Sequence, residues 1–442
     1  MHSSRAVFRP EVQPPASPPD EVVMNGRHGS SRVFSLGLSI AAIVAAAGWI
    51  AFRQLPDPAV DSPAAPMDRR AALLSLGYLE FTSSDAADGG VIKHNSARSW
   101  PGYSLYTSRN LCSATLTDPA GRIVRSWTGA ARHWARAELC DDGNVLVVGT
   151  ASDRRTEDEP VHDLGTVWRF SWEGDLLAAH RISAHHDVER TPAGRILTVT
   201  SQLRSVPDIH PSCPVIEDRL TLLDDEGNEL DAVSLVDVLR QPIEGFALTS
   251  IAPWKIDGQL RVDLTHTNSV EWMARRPLFG THPVYGEDHV LICMRHQDAV
   301  AVVDFKQHRL VWAWGQDELQ GPHDATLLEN GNILVLDNGV TRGTSRAVEV
   351  DPRTGSIVWQ YPCGDAQPFF TLSMGSAHRL PNGNTLIADS NHSRAFEVTR
   401  GGQTVWEYLN PNKNDDGRRS VITSMKRYPS DRIESIERRH AE

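Results

Sequence analysis

The chain has 442 residues, 40% hydrophobic and 23% charged, with a formal net charge of −12. That composition suits a globular protein with one large, repeat-built core. The acidic balance, with no basic run or domain to offset it, argues against nucleic-acid binding. The five cysteines (Cys112, Cys140, Cys213, Cys293, Cys363) show no Cys-x-x-Cys spacing, which disfavours a cysteine-ligated zinc site. Their odd number leaves at least one thiol unpaired within a chain, and one or two disulfides stay permitted in an oxidising compartment.

Residues 1–32 are rich in Pro, Ser and charge and hold no apolar period, which predicts disorder. Residues 33–52, VFSLGLSIAAIVAAAGWIAF, carry no charge and have the length that crosses a hydrocarbon core. We read them as one transmembrane anchor helix; cleavage near the Ala-rich end and a buried soluble helix are the alternatives. Arg27 and Arg32 precede the span, while Arg53, Asp57 and Asp61 follow it. The Lys/Arg bias puts the N-terminus in the cytoplasm and the large domain in the periplasm or outside the cell. Residues 53–84 are a linker whose 54–68 stretch is a Pro/Ala/Asp spacer.

From 85 to 428 one pattern recurs: turn, short apolar strand, polar interruption, second strand, often a Trp. Examples are ENGNILVLDNG with AVEVDPRTGSIVWQY, and PNGNTLIADS with AFEVTRGGQTVWEY. The turn glycines Gly143 and Gly194 are 51 residues apart, and Gly331 and Gly383 are 52 apart. Multi-strand repeats of that length predict an all-β fold, a six-bladed β-propeller, with a seventh blade left open if 231–285 hides one. Residues 421–428, VITSMKRY, are expected to close the ring against the first blade and remove the open sheet edges. Helical signal after residue 80 is poor, and 429–442 reads as a C-terminal tail. The recurring Trp168, Trp312, Trp359 and Trp406 are expected to pack between blades rather than bind a ligand.

Each blade's inner strand should precede its turn-plus-strand segment. His186 lies eight residues before Gly194 and His323 eight before Gly331, and each is followed by Asp. His266 opens HTNSV ahead of the blade containing VLICMR, and His378 lies five residues before Gly383. A single such histidine is more often a hydrogen-bonded turn or core residue. Four of them near inner strands predict a shared site in the central channel, with Asn268 as a further lining residue. His185, His210, His282, His289, His308 and His392 lack that position and read as surface residues. Several imidazoles also suit zinc or copper; Arg342, if it enters the channel, opposes a cation.

The pieces HTNSVEW, RHQDAVAVVD with VWAWG, GPHDATLL, DNGVTRG and GSAHRLPNGN, in this order, resemble the arylsulfotransferase family from roughly residue 100 to 410. The resemblance implies a six-bladed propeller. It also implies sulfonate transfer from a phenolic sulfate ester to a phenol, without phosphoadenosyl sulfate, through a sulfated histidine. It maps the family's site onto His266, His323, Arg342 and His378, with His378 as the sulfonate carrier. No metal or cofactor is implied; the partners are an aryl sulfate, a phenol, the membrane and, in the family's exported members, a second subunit. Sulfonate chemistry asks for the same groups. A neutral imidazole is a nucleophile near pH 7, an arginine fork grips the sulfonate oxygens, and further imidazoles donate to oxygens or protonate the phenolate. The alternative is a membrane-anchored propeller that binds a ligand or partner without chemistry.

Overall fold

The computed structural model describes residues 81–82, 89–152, 165–256 and 258–441, all within the unit Met67–Glu442. The expected anchor at 33–52, the segment 1–32 and the 54–68 spacer lie outside the described residues. Among the described residues no helix is long and apolar enough to cross a membrane.

Six antiparallel blades follow one another in sequence. Blade I has strands Tyr103–Ser108, Ser113–Thr117 and Ile123–Thr128, with Ile422–Tyr428 as its innermost strand. The chain's end therefore closes the ring against its beginning, as VITSMKRY predicts. Blade II has Ala131–Leu139, Val145–Ala151, Gly165–Phe170 and Leu176–Arg181. Blade III has Ala184–Arg190, Ile196–Arg204, Val215–Leu223 and Glu229–Ser234. Blade IV has Thr267–Trp272, His289–Met294, Ala299–Asp304 and Arg309–Trp314. Blade V has His323–Leu327, Ile333–Asp337, Arg346–Asp351 and Ser356–Tyr361. Blade VI has Ser376–Arg379, Thr385–Asp389, Arg394–Val398 and Thr404–Leu409, with Gly90–His94 added at its outer edge.

The stretch 231–285 holds no seventh blade. It contributes a short helix, Leu235–Leu239, and a hairpin, Trp254–Ile256 with Gln259–Asp263. Gln259–Asp263 pairs in parallel with the third strand of blade III and ends at the channel. Residues 430–441 form a helix, Ser430–Ala441, whose Ile433 and Ile436 dock into the core shared by blades I and II. Its short amphipathic pattern follows directly on a strand, so a residue-by-residue reading for repeats passes over it.

Middle strands such as Ala299–Asp304 are buried throughout, whereas the outer strand Ser356–Tyr361 alternates between exposed and covered residues. That is the burial expected of sheets packed face to face around a ring. Tryptophans lock neighbours together through their indole N–H groups. Trp127 donates to Ser171 O, Trp314 to Gly355 O, Trp359 to Arg400 O and Trp406 to Pro119 O. Each of these bonds runs from an outer strand to the next blade's last turn, so of the expected tryptophans Trp359 and Trp406 join blades through a polar latch, and Trp127 and Trp314 do the same.

Candidate active site

The channel has two levels, and the count back from each turn glycine sets them. Three residues of strand span about 10 Å, so a histidine eight residues before its glycine and one five before cannot face each other. Register agrees: His378 pairs with Leu386 as Thr326 pairs with Leu334, whereas His323 pairs with Leu336. His378 is thus the blade VI counterpart of Thr326, not of His323.

Above, the inner strands enter the channel through β-bulges in blades III, IV and V. Bulges re-aim side chains, and non-glycine residues at positive φ gather here: His186 (63°), His266 (47°), Asp324 (55°) and Met374 (58°). Such backbone is costly and persists where surroundings enforce it. The rings form a chain: His185 to His186 at 4.9 Å, His186 to His266 at 4.7 Å, His266 to His296 at 4.5 Å. A small cavity of about 40 Å³ is lined by Arg109, Arg136, His186, Asn268, His323 and Met374, among others.

Two of these imidazoles share Asp263, and a third has an amide partner. His266 Nδ1 lies 2.5 Å from Asp263 Oδ2, and His296 Nδ1 donates to Asp263 O at 2.8 Å. Burial pushes the Asp263 carboxyl up, but His266 and His296 beside it hold it well below the usual range. His323 Nδ1 is 2.8 Å from Asn338 Oδ1, and its Nε2 accepts Met374 N–H at 3.1 Å. Burial, with the Arg295 charge adding to it, pushes His323 down to about 3. His186 is driven well below its ordinary value by burial and by its neighbours His266 and His185. The Arg295 guanidinium touches His296 Nε2 at 3.3 Å. Asn268 donates its amide to Pro322 O at 2.8 Å, and its buried Oδ1 has no partner among the described residues.

Asp263, His266 and His296 each bring one ligand atom within 4.8 Å of the others, near enough to share a divalent cation. Their Nδ1 atoms lie on the carboxylate and main-chain carbonyl of Asp263 instead, and Arg295 against His296 opposes a cation.

Below, a cavity of about 850 Å³ is lined by Glu138, Glu189, Glu271, Thr326, His378 and Lys426, the next level of all six inner strands. The floor between the two levels is Arg136, whose Nε is 3.0 Å from Asp187 Oδ1 and whose Nη1 bonds Asp324 Oδ1. The His-Asp pairs of blades III and V thus split their labour. The histidines face the upper chamber, and the aspartates clamp Arg136 and cap the next blade's inner strand, Asp187 at Val270 N and Asp324 at Ala377 N. Glu189 caps Trp272 N, Glu271 caps Leu327 N, and His378 Nδ1 caps Arg427 N at 3.2 Å in the same way. His378 is therefore a strand cap at the lower level. Its Nδ1 lone pair is used, so in the neutral ring Nε2 carries the proton. Burial and then Lys426 push it down to about 3.

The structure therefore brings together His186, His266, Asn268 and His323, and separates His378 and Arg342 from them. Arg342 stands on the loop after Ile333–Asp337 and turns back onto Asp337 at 2.6 Å, where Arg346 also binds. Blade VI repeats the device with Arg394 and His392 on Asp389. Arg342 is a pin for a buried carboxylate, not a channel cation; Arg295 and Arg109 supply the charge instead. His185 and His289, expected at the surface, are respectively part of the ring chain and buried against Val284 O. Arg295 and His296 escaped a count along inner strands because they follow the second strand of blade IV, His289–Met294, on the turn to Ala299–Asp304. The RHQ triplet itself was their visible signal.

Comparison with known proteins follows this geometry. The family model for arylsulfotransferase (ASST) matches residues 161–411. The chain belongs to the arylsulfotransferase family. Among solved structures it is similar to a protein of unknown function from Bacteroides caccae, at 13% identity, 75% of this chain and 100% of that one, with a TM-score of 0.47. It is also similar to a streptogramin B lyase, at 12% identity, 79% and 98% coverage and a TM-score of 0.41. No curated protein matches.

Proposed function

We propose that this arylsulfotransferase family member moves a sulfonate group from a phenolic sulfate ester to a phenolic acceptor at the upper chamber, with His323 as carrier. The observation that carries the reading is the contrast between two imidazoles of one site. His266 is held by the Asp263 carboxylate, which favours its charged form. His323 is buried beside the Arg295 charge, which favours the neutral form and outweighs its bond to the Asn338 amide oxygen. Neighbours whose environments push them apart suit opposite roles.

His323 donates Nδ1–H to Asn338, so its lone pair is on Nε2. In the first step Nε2 leaves Met374 N–H and attacks sulfur; the N–S bond forms as the S–O bond to the phenolate breaks. Charged His266 and Arg295 oppose the charge on the sulfonate oxygens. In the second step a phenol oxygen displaces the imidazole from sulfur: the S–O bond forms, the N–S bond breaks, and the phenol proton passes to a neighbouring imidazole of the chamber. Asn268 Oδ1, a buried acceptor, suits the hydroxyl of that phenol and finds no donor in the ester. The upper cavity has room for a headgroup, about that of one or two waters, so the aryl ring points out of it. The lower cavity suits the ester poorly. Its cations are already paired, Lys426 with Glu138 and Arg427 with Glu397.

Incubation with 4-nitrophenyl sulfate alone should leave one sulfonate on His323, read by peptide mass spectrometry, and adding phenol should discharge it. A sulfonate that persists in His323→Ala, or maps to His378, refutes the carrier; a correctly folded protein that never labels favours a binding module.

A further inference from the structure

His185 and His186 are consecutive in one strand, and strand alternation should put them on opposite faces of the sheet. The positive φ of His186 and the bulge after His185 bring them together instead. Their Nδ1 atoms are 2.7 Å apart, so one shared proton must lie between them. Behind them, His185 Nε2 is 3.2 Å from Asp218 Oδ1. Asp218 is 2% exposed, and its Oδ2 accepts Thr265 Oγ1 at 2.6 Å and Thr267 N–H at 2.7 Å, which holds the carboxylate in place. In front, the His186 ring lies 4.7 Å from that of His266 and lines the chamber. A strained backbone, an imidazole pair and a fixed carboxylate thus form one line from the interior to the reacting end of the site.

We infer that Asp218, His185 and His186 form a proton relay that serves the phenolic oxygen in both halves of the transfer. The inference rests on the sulfonate-transfer reading. His185 starts as an imidazolium against the Asp218 carboxylate, and His186 accepts His185 Nδ1–H and presents Nε2–H to the chamber. As the S–O bond of the donor breaks, its electron pair leaves on the phenolate oxygen. His186 Nε2–H passes to that oxygen, His185 Nδ1–H moves to His186 Nδ1, and neutral His185 keeps its Nε2–H toward Asp218. The acceptor phenol reverses each transfer when its oxygen attacks sulfur, so no proton is gained or lost over a cycle. The carboxylate behind two rings keeps the proton available where the chamber has no bulk water. His186 meets the substrate; His185 and Asp218 act through it as positioning residues.

Leaving-group dependence tests this. Nitrophenolate departs with little help, whereas unsubstituted phenolate needs a proton as it leaves. Single-turnover labelling of His185→Gln should fall with both donors, and about 10²-fold further with phenyl sulfate than with 4-nitrophenyl sulfate, the scale of one general acid. Added imidazole should restore phenyl sulfate labelling in His185→Gly. In the unaltered protein the solvent deuterium isotope effect should be larger with phenyl sulfate. An equal loss with both donors, or equal isotope effects in the unaltered protein, overturns the relay while leaving the transferase reading standing. A wild-type protein that neither donor labels overturns the transferase reading itself.

Discussion

Replacing Asp263 by Asn removes one charge from the upper chamber and almost nothing else. The carboxylate is 2.5 Å from His266 Nδ1 and is 7% exposed. An opposite charge this close raises an imidazole's affinity for its proton by about 1–3 units, toward the upper end where water is excluded. At a pH where His266 of the variant is discharged, its charged fraction should then fall by up to about 10²- to 10³-fold, and transfer with it. The sign follows from the partner. Losing a carboxylate lowers the pH at which His266 discharges, so Asp263→Asn should be most defective at pH 8 and recover as pH falls toward 5. The fold responds in the same sense. Asp263 is held below its unfolded value, so it adds stability above that value which is lost in acid. The variant should therefore melt lower at pH 7 and at pH 4 alike, and approach the wild type only as pH falls well below the ordinary carboxylate range. Initial rates of transfer from 4-nitrophenyl sulfate to phenol between pH 5 and 9, beside melting curves, measure both effects. Wild-type rates throughout, or a loss that does not vary with pH, would refute the charged role given to His266.

His378→Ala should keep transfer within about threefold of wild type and cost about 1–2 kcal/mol, because it uncaps Arg427 N–H rather than removing a nucleophile; denaturant melts and donor labelling check it. Arg342→Lys should likewise leave rates within about threefold, since it acts on Asp337 at the rim; a larger loss of turnover would return it to the site. Arg136→Met leaves Asp187 and Asp324 buried without their cation and should cost about 3–5 kcal/mol at pH 8. Asp187 is already pushed up to about 6 by burial. A carboxyl raised in this way favours the folded state below its unfolded value, and that contribution is lost as pH rises through the folded one. The cost of Arg136→Met should therefore shrink at pH 5, where Asp187 protonates; equal costs at the two pH values would show that the clamp is not electrostatic.

Much of the architecture was legible because its causes are local and repeated. Turn glycines about 51 residues apart, apolar strands between them and a Trp on the outer strand of four blades act locally, and ring closure follows from the need to hide sheet edges. The HTNS, RHQ and GPHD pieces likewise carry the resemblance to the family. What the sequence left undecided was which of these residues meet. A shift of three residues along a strand is invisible in a list of histidines, yet it moves His378 to the other level of the channel. Arg295 and His296 sit on the turn after the second strand of blade IV, where a count along inner strands does not look. Arg342 belongs with Asp337, a pairing that a loop makes by folding back. Asp218 and Asp263 bear no motif at all; Asp218 meets His185 across the strands of blade III, and Asp263, at the end of the added hairpin, meets His266 through the turn into blade IV. Patterns of period two and of one blade are written in the chain, because backbone geometry and burial enforce them residue by residue. The proton and charge partners of each histidine are set by strand register, bulges and the packing of one blade on the next, and those exist only once the ring has closed.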